Sequence, residues 1–112
     1  MKLDTKNVRE SEIAVLIMVI GVTESLLSMT INIDQGEQLI FLPYHYKHLK
    51  KEGVSKEILD LIEDGFYIEN YLSLLPNELV EYINCIKQRA KNLLKERFQK
   101  EPLFDGFWFI EE

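Results

Sequence analysis

Ile13-Ala14-Val15-Leu16-Ile17-Met18-Val19-Ile20-Gly21-Val22 decides the fold. It is an unbroken apolar run, closed by Glu12 on one side and by Thr23-Glu24 on the other. A helix rises about 1.5 Å per residue, so the run reaches only half way across a bilayer core of roughly 30 Å. A secretory leader needs a basic start and a small-residue cleavage site. Here Lys2, Lys6 and Arg9 are offset by Asp4, Glu10 and Glu12, and no Ala-x-Ala-like site follows. The run therefore reads as a core helix, from about Val8 to Met29, of a cytoplasmic protein with no membrane partner. Being apolar nearly all round, it is expected to be the central helix of the domain. Ala14, Gly21 and Ser28 recur every seven residues, with Ser25 on the same side. That spacing predicts a face where a second helix approaches closely. Gly21 costs about 1 kcal/mol relative to Ala in a helix interior, and close packing would offset it.

Outward from this helix the punctuation is regular. Thr30 to Ile33 is β-branched and expected to be extended. Asp34 with Glu37 three residues on has the capping-box spacing, opening a short helix through Phe41. Leu42-Pro43 breaks that helix, and Pro43 suits the first position of the next. This one should run to about Glu52 and stop at Gly53. Ser55 is expected to cap a helix whose stripe is Ile58, Leu59, Leu61 and Ile62, ending at Gly65. Phe66 to Leu75 reads as a broken helical turn. Pro76 opens the last helix, where Leu79, Ile83, Ile86, Ala90, Leu93, Leu94 and Phe98 fall at threes and fours. The expectation is all-α: one domain over residues 1–112, a compact array of about five helices, long first and last helices packed as a pair, and an aromatic C-terminal tail. A chain of 112 residues can bury a core without disulfides or metal, and the single cysteine forbids an intrachain disulfide.

Charge is distributed in blocks. Residues 57–86 hold seven acids and no base, and residues 87–100 hold six bases and one acid. The net charge is −6, which disfavours general affinity for nucleic acid or anionic membrane. One reading pairs the blocks across neighbouring helices and across helix dipoles. The sharper reading makes Glu57, Asp60, Glu63, Asp64 and Glu69 an acidic surface for a basic partner, where charge would select partners and speed association. Lys87, Lys91 and Lys95 form a stripe at steps of four, with Arg89, Arg97 and Lys100 nearby. It could touch phosphates, although no aromatic is interleaved to stack bases.

Sites of chemistry are sparse. His45 and His48 are three apart on one helix and could share a metal, but no further ligands adjoin and three lysines surround them. No metal or cofactor is expected, and both histidines should be partly exposed. Cys85, beside Ile83 and Ile86, is expected to be a small buried hydrophobe. No serine elbow and no glycine-rich phosphate loop occurs, so no catalytic residue is assigned. Phe104-Asp105-Gly106-Phe107-Trp108-Phe109-Ile110 is the most suggestive segment. Phe107 and Trp108 are either interface anchors or a cover for one end of the core, and a homodimer seam would satisfy both readings.

Ile33-Asp34-Gln35-Gly36-Glu37, leading to Leu39-Ile40-Phe41 and Pro43-Tyr44, precedes Gly53-Val54-Ser55-Lys56-Glu57-Ile58. In these motifs the chain resembles a small uncharacterised bacterial family of single-domain, mostly helical proteins, a domain of unknown function. The resemblance implies a bacterial cytoplasmic protein and assigns no catalytic residues. The expected function is that of a non-enzymatic binding module for another protein, with an immunity or antitoxin-like role as one form by analogy. The rival is a regulatory nucleic-acid binder that uses the lysine stripe.

Overall fold

The computed structural model describes residues 8–100, and all its regular structure is helical. Helix α1 spans Val8–Leu27, α2 Ile33–Gly36, α3 Pro43–Lys51, α4 Lys56–Gly65, α5 Ile68–Leu74 and α6 Leu79–Lys100. A π-helical turn, Glu37–Phe41, follows α2, and a 3-10 turn, Pro76–Glu78, precedes α6. The expected five helices are thus replaced by two long helices and a chain of shorter pieces. The aromatic tail, with Phe107 and Trp108, lies outside the described residues.

Helices α1 and α6 form the principal antiparallel pair. Arg97, near the end of α6, contacts Glu12 near the start of α1, while Lys87 reaches Glu24 near its end. Val15, Leu16, Val19 and Val22 of α1 meet Ile83, Ile86 and Ala90 of α6 in one core with Ile58, Leu61 and Ile62 of α4. The last helix places its apolar stripe inward as its spacing predicted. Cys85 does not follow, being exposed. It stands two residues beyond Ile83, and 200° of helical rotation carries it to the opposite side.

The first helix is less enclosed than its composition suggests. Ile17 is 54% exposed, and Gly21 is exposed with open space where a Cβ would stand. The small-residue spacing therefore does not mark the packing face, which is made by branched side chains. Gly21→Ala should stabilise the protein by about 1 kcal/mol, since propensity improves and nothing obstructs the methyl group. Urea unfolding checks this, and an unchanged or lower midpoint would count against it.

The connection after α1 departs from the extended strand expected for Thr30 to Ile33. Thr30 N–H donates to Ser25 O at 2.9 Å and Met29 N–H to Leu26 O at 3.1 Å, closing α1 in a Schellman turn. Met29 takes the left-handed position at φ 61°. Asn32, not Asp34, then caps α2. Its side chain accepts from Gln35 N–H at 2.8 Å, while Asn32 N–H donates back to Gln35 Oε1 at 2.9 Å. A capping box is present two residues earlier than its acidic look-alike, because Asn and Gln make the same two bonds without charge.

The π turn was not legible from spacing. It turns adjacent Ile40 and Phe41 into the core together, while Leu39 faces out. Phe41 packs over Gly65 at the end of α4. Pro43 opens α3 after the break at Leu42, and Gly53 ends it at φ 87°. Ser55 stands at the cap of α4, but its hydroxyl accepts from Arg97 and does not bond its own helix. The expected broken turn at Phe66–Leu75 contains α5, tied to α6 where the Tyr71 and Tyr82 rings stack with centroids 3.9 Å apart.

Candidate partner-binding groove

One end of the molecule carries an open groove of about 740 Å³, where the end of α1, the Met29 turn, α2, α5 and the start of α6 meet. Its floor and walls are mainly apolar: Leu26, Ile33, Leu72, Leu79 and Ile83, with Met29 at the rim. Leu72 is 48% exposed and Met29 88% exposed. Both are held by the local folding just described. The Schellman turn throws Met29 outward, and the short α5 presents Leu72 on its outer face.

Acids border this groove. Asp34 enters from α2 and Glu69 from α5, and both line it. Glu37, on the π turn, has its carboxyl pushed above the ordinary range by burial, with the neighbouring charges of Glu69 and Asp34 adding to the rise. No lysine or arginine lines the groove. Asn32 and Gln35 also line it, but their side chains are engaged in the capping box.

The five acids singled out from sequence do not form one surface of equal character. Arg89 bonds Asp64 at 2.7 Å, Lys56 bonds Asp60 at 3.3 Å within α4, and Arg97 approaches Glu57 at 3.8 Å. Glu57 and Asp60 border a smaller depression beside Arg89. Glu63 is exposed on α4. Glu69 alone of the five lines the large groove. Sequence reasoning missed Met29, Asp34 and Leu72 as site residues. The available signal was Leu72, Leu74 and Leu75, which fit no core stripe and are all exposed.

The lysine stripe is also divided. Lys87 bonds Glu24 at 2.8 Å, and its ammonium holds the Glu24 carboxyl below the usual range. Lys91 and Lys95 are exposed on α6. His45 is buried at 4% exposure, against expectation, and its Nε2 lies 2.8 Å from Gln38 O in the π turn. Burial lowers its pKa, so the neutral ring donates to that carbonyl. His48 faces Glu52 at 3.2 Å, so the two rings do not converge. Among the described residues, no group of three His, Cys, Asp or Glu is placed to hold a metal.

Tyr82 donates to Asp64 O at 2.6 Å beside the stacked Tyr71. Burial, and next the Asp64 charge, push its phenol up to about 12. A raised folded-state pKa favours folding fully below the unfolded value of about 10, and that contribution is lost as pH rises towards 12. Alkaline absorbance titration should show one tyrosine ionising after the others. Its disappearance in Tyr82→Phe assigns it, while a single shared transition would contradict the assignment.

Fold and groove together define a small all-helical domain with an acid-bordered apolar groove at one end. The chain belongs to the family described as protein of unknown function (DUF3969), which matches residues 6–106. No curated protein and no solved structure matches the chain. Among the described residues no helix is long and apolar enough to cross a membrane.

Proposed function

We propose that this protein is a non-enzymatic module, acting in the bacterial cytoplasm, that binds another protein through the groove. Met29 carries the reading. Glycine is the usual residue at the left-handed end of a Schellman turn, and a side chain there costs about 1 kcal/mol. Here a large, adaptable apolar side chain occupies the position and extends into solvent at a groove rim. Strain of this kind collects at functional sites, and methionine suits contact surfaces that must adjust. An immunity or antitoxin-like role, in which a small acidic protein covers a basic one, is one form of this function. Glu57, Asp60 and Asp64 each meet a base, which supports placing the binding surface at the groove instead of on the α4 face.

Met29→Gly separates function from folding. Removing the strain should keep or raise the melting temperature, while removing the contact should release a protein partner captured from the native extract. A partner retained by Met29→Gly but lost on Asp60→Lys/Glu63→Lys would return the surface to α4. Copurifying nucleic acid lost on Lys91→Ala/Lys95→Ala would favour the rival instead.

A further inference from the structure

We infer that the groove takes a segment of another protein that presents lysine or arginine beside large apolar side chains. The inference rests on the groove being a protein-binding site and specifies the chemistry of its occupant.

Two observations on charge carry it. Elsewhere in the molecule acids that meet α6 are matched to bases: Glu12 to Arg97, Glu24 to Lys87 and Asp64 to Arg89. At the groove the matching stops. Asp34 and Glu69 line it from two separate elements, Glu37 lies near enough to feel both, and among the described residues none of the three forms an ion pair. Burial first, and then the charges of Glu69 and Asp34, raise the Glu37 carboxyl, so like charges stand close together at this end of the molecule. A cation placed among them would relieve their repulsion, whereas a carboxylate would add to it. The apolar floor meanwhile requires an occupant with leucine-like side chains. A small polycation would leave it bare, and a purely apolar segment would leave the Asp34 and Glu69 carboxylates facing a poorly solvated surface.

The chain's own C-terminal segment does not meet these terms. Residues 101–112 contain four acids and no base, so their large aromatic side chains come with the wrong sign of charge. Charge complementarity therefore argues against this segment and for a basic partner protein.

The test uses synthetic peptides with one leucine pattern and lysine, glutamine or glutamate at the polar positions. Binding to the full-length protein is read by fluorescence anisotropy at low and high salt. The lysine peptide should bind about tenfold or more tightly than the glutamine peptide, and high salt should weaken it. The glutamate peptide should not bind. Glu69→Lys should reduce lysine-peptide affinity at least about tenfold, whereas Asp60→Lys/Glu63→Lys, away from the groove, should leave it nearly unchanged. Leu72→Ala should weaken the lysine and glutamine peptides alike. Equal losses from the two sets of charge reversals would show attraction to net charge alone and overturn the inference. Equal binding of lysine and glutamate peptides overturns the charge assignment and leaves the groove as a protein-binding site. Failure of every peptide to bind overturns the inference. A partner captured by the intact protein and lost in Met29→Gly would then keep the broader proposal. A dimer that Glu69→Lys dissociates would identify the occupant as a second copy, which also overturns it.

Discussion

Gly65→Ala should lower the melting temperature by about 5 °C or more, although alanine is the better helix former. Gly65 is the last residue of α4 and has no positive φ, so backbone freedom is not what the position needs. Propensity alone would favour alanine by up to about 1 kcal/mol. A Cβ built there, however, would overlap the ring of Phe41. That ring is 2% exposed and fixed by the π turn, so it has little room to withdraw. Overpacking in such a core costs about 1–3 kcal/mol, sometimes more, and outweighs the propensity gain. For a domain of this size each kcal/mol is worth roughly 4–8 °C. Thermal unfolding followed by circular dichroism gives the result. Phe41→Leu, damaging by itself, should cost much less in the Gly65→Ala background, because the two changes share one space. An additive double mutant would show that the pair does not compete for that space.

Arg97→Ala should cost about 2–3 kcal/mol, far more than truncating an exposed arginine. Arg97 Nε donates to Glu12 Oε1 at 3.1 Å, and a second guanidinium nitrogen donates to Ser55 Oγ at 3.1 Å. The other Glu12 oxygen accepts from Ser55 N–H at 2.7 Å. The side chains are only 14% and 10% exposed, so the interaction is poorly screened. Three parts of the chain, α1, the α4 cap and α6, thereby meet at one carboxylate. Deleting the cation leaves Glu12 charged, largely buried and held by a single amide. The Ser55 bond and entering water keep the loss below that of a fully enclosed pair. Arg97→Met combined with Glu12→Gln should recover much of it, since the stranded charge is removed. Urea midpoints for the two single variants and the double variant measure the coupling. A loss below about 0.5 kcal/mol in Arg97→Ala would reduce the cluster to a surface ion pair.

The long helices were legible because each supplies many turns of repeated pattern. Ile83, Ile86 and Ala90 faced inward as their spacing required, and Pro43 and Gly53 bounded α3 as their backbone preferences required. The failures have local causes. Asp34 and Glu37 imitated a capping box that uncharged Asn32 and Gln35 make two residues earlier. Gly21 imitated a close-packing position, but nothing in its spacing distinguished an approaching helix from open space. His45 was read as partly exposed because the π turn that supplies its carbonyl partner has no sequence period to announce it. Arg97 was grouped with a solvated basic stripe, although its carboxylate lies 85 residues earlier in the chain. The groove was obscured for a related reason. Its wall is assembled from Leu26, Ile33, Leu72 and Leu79, and no single segment contains enough of it to be noticed.

The pairing of α1 with α6 also sets an order of events on the ribosome. Among the described helices the most apolar one emerges first, and its principal cover, α6, emerges last. At roughly 5–20 residues per second, α1 waits several seconds for α6 to arrive. During that interval Val15, Leu16, Val19 and Val22 lack their α6 partners. Translation that stops before Leu79 would leave a product without half of its main helical seam.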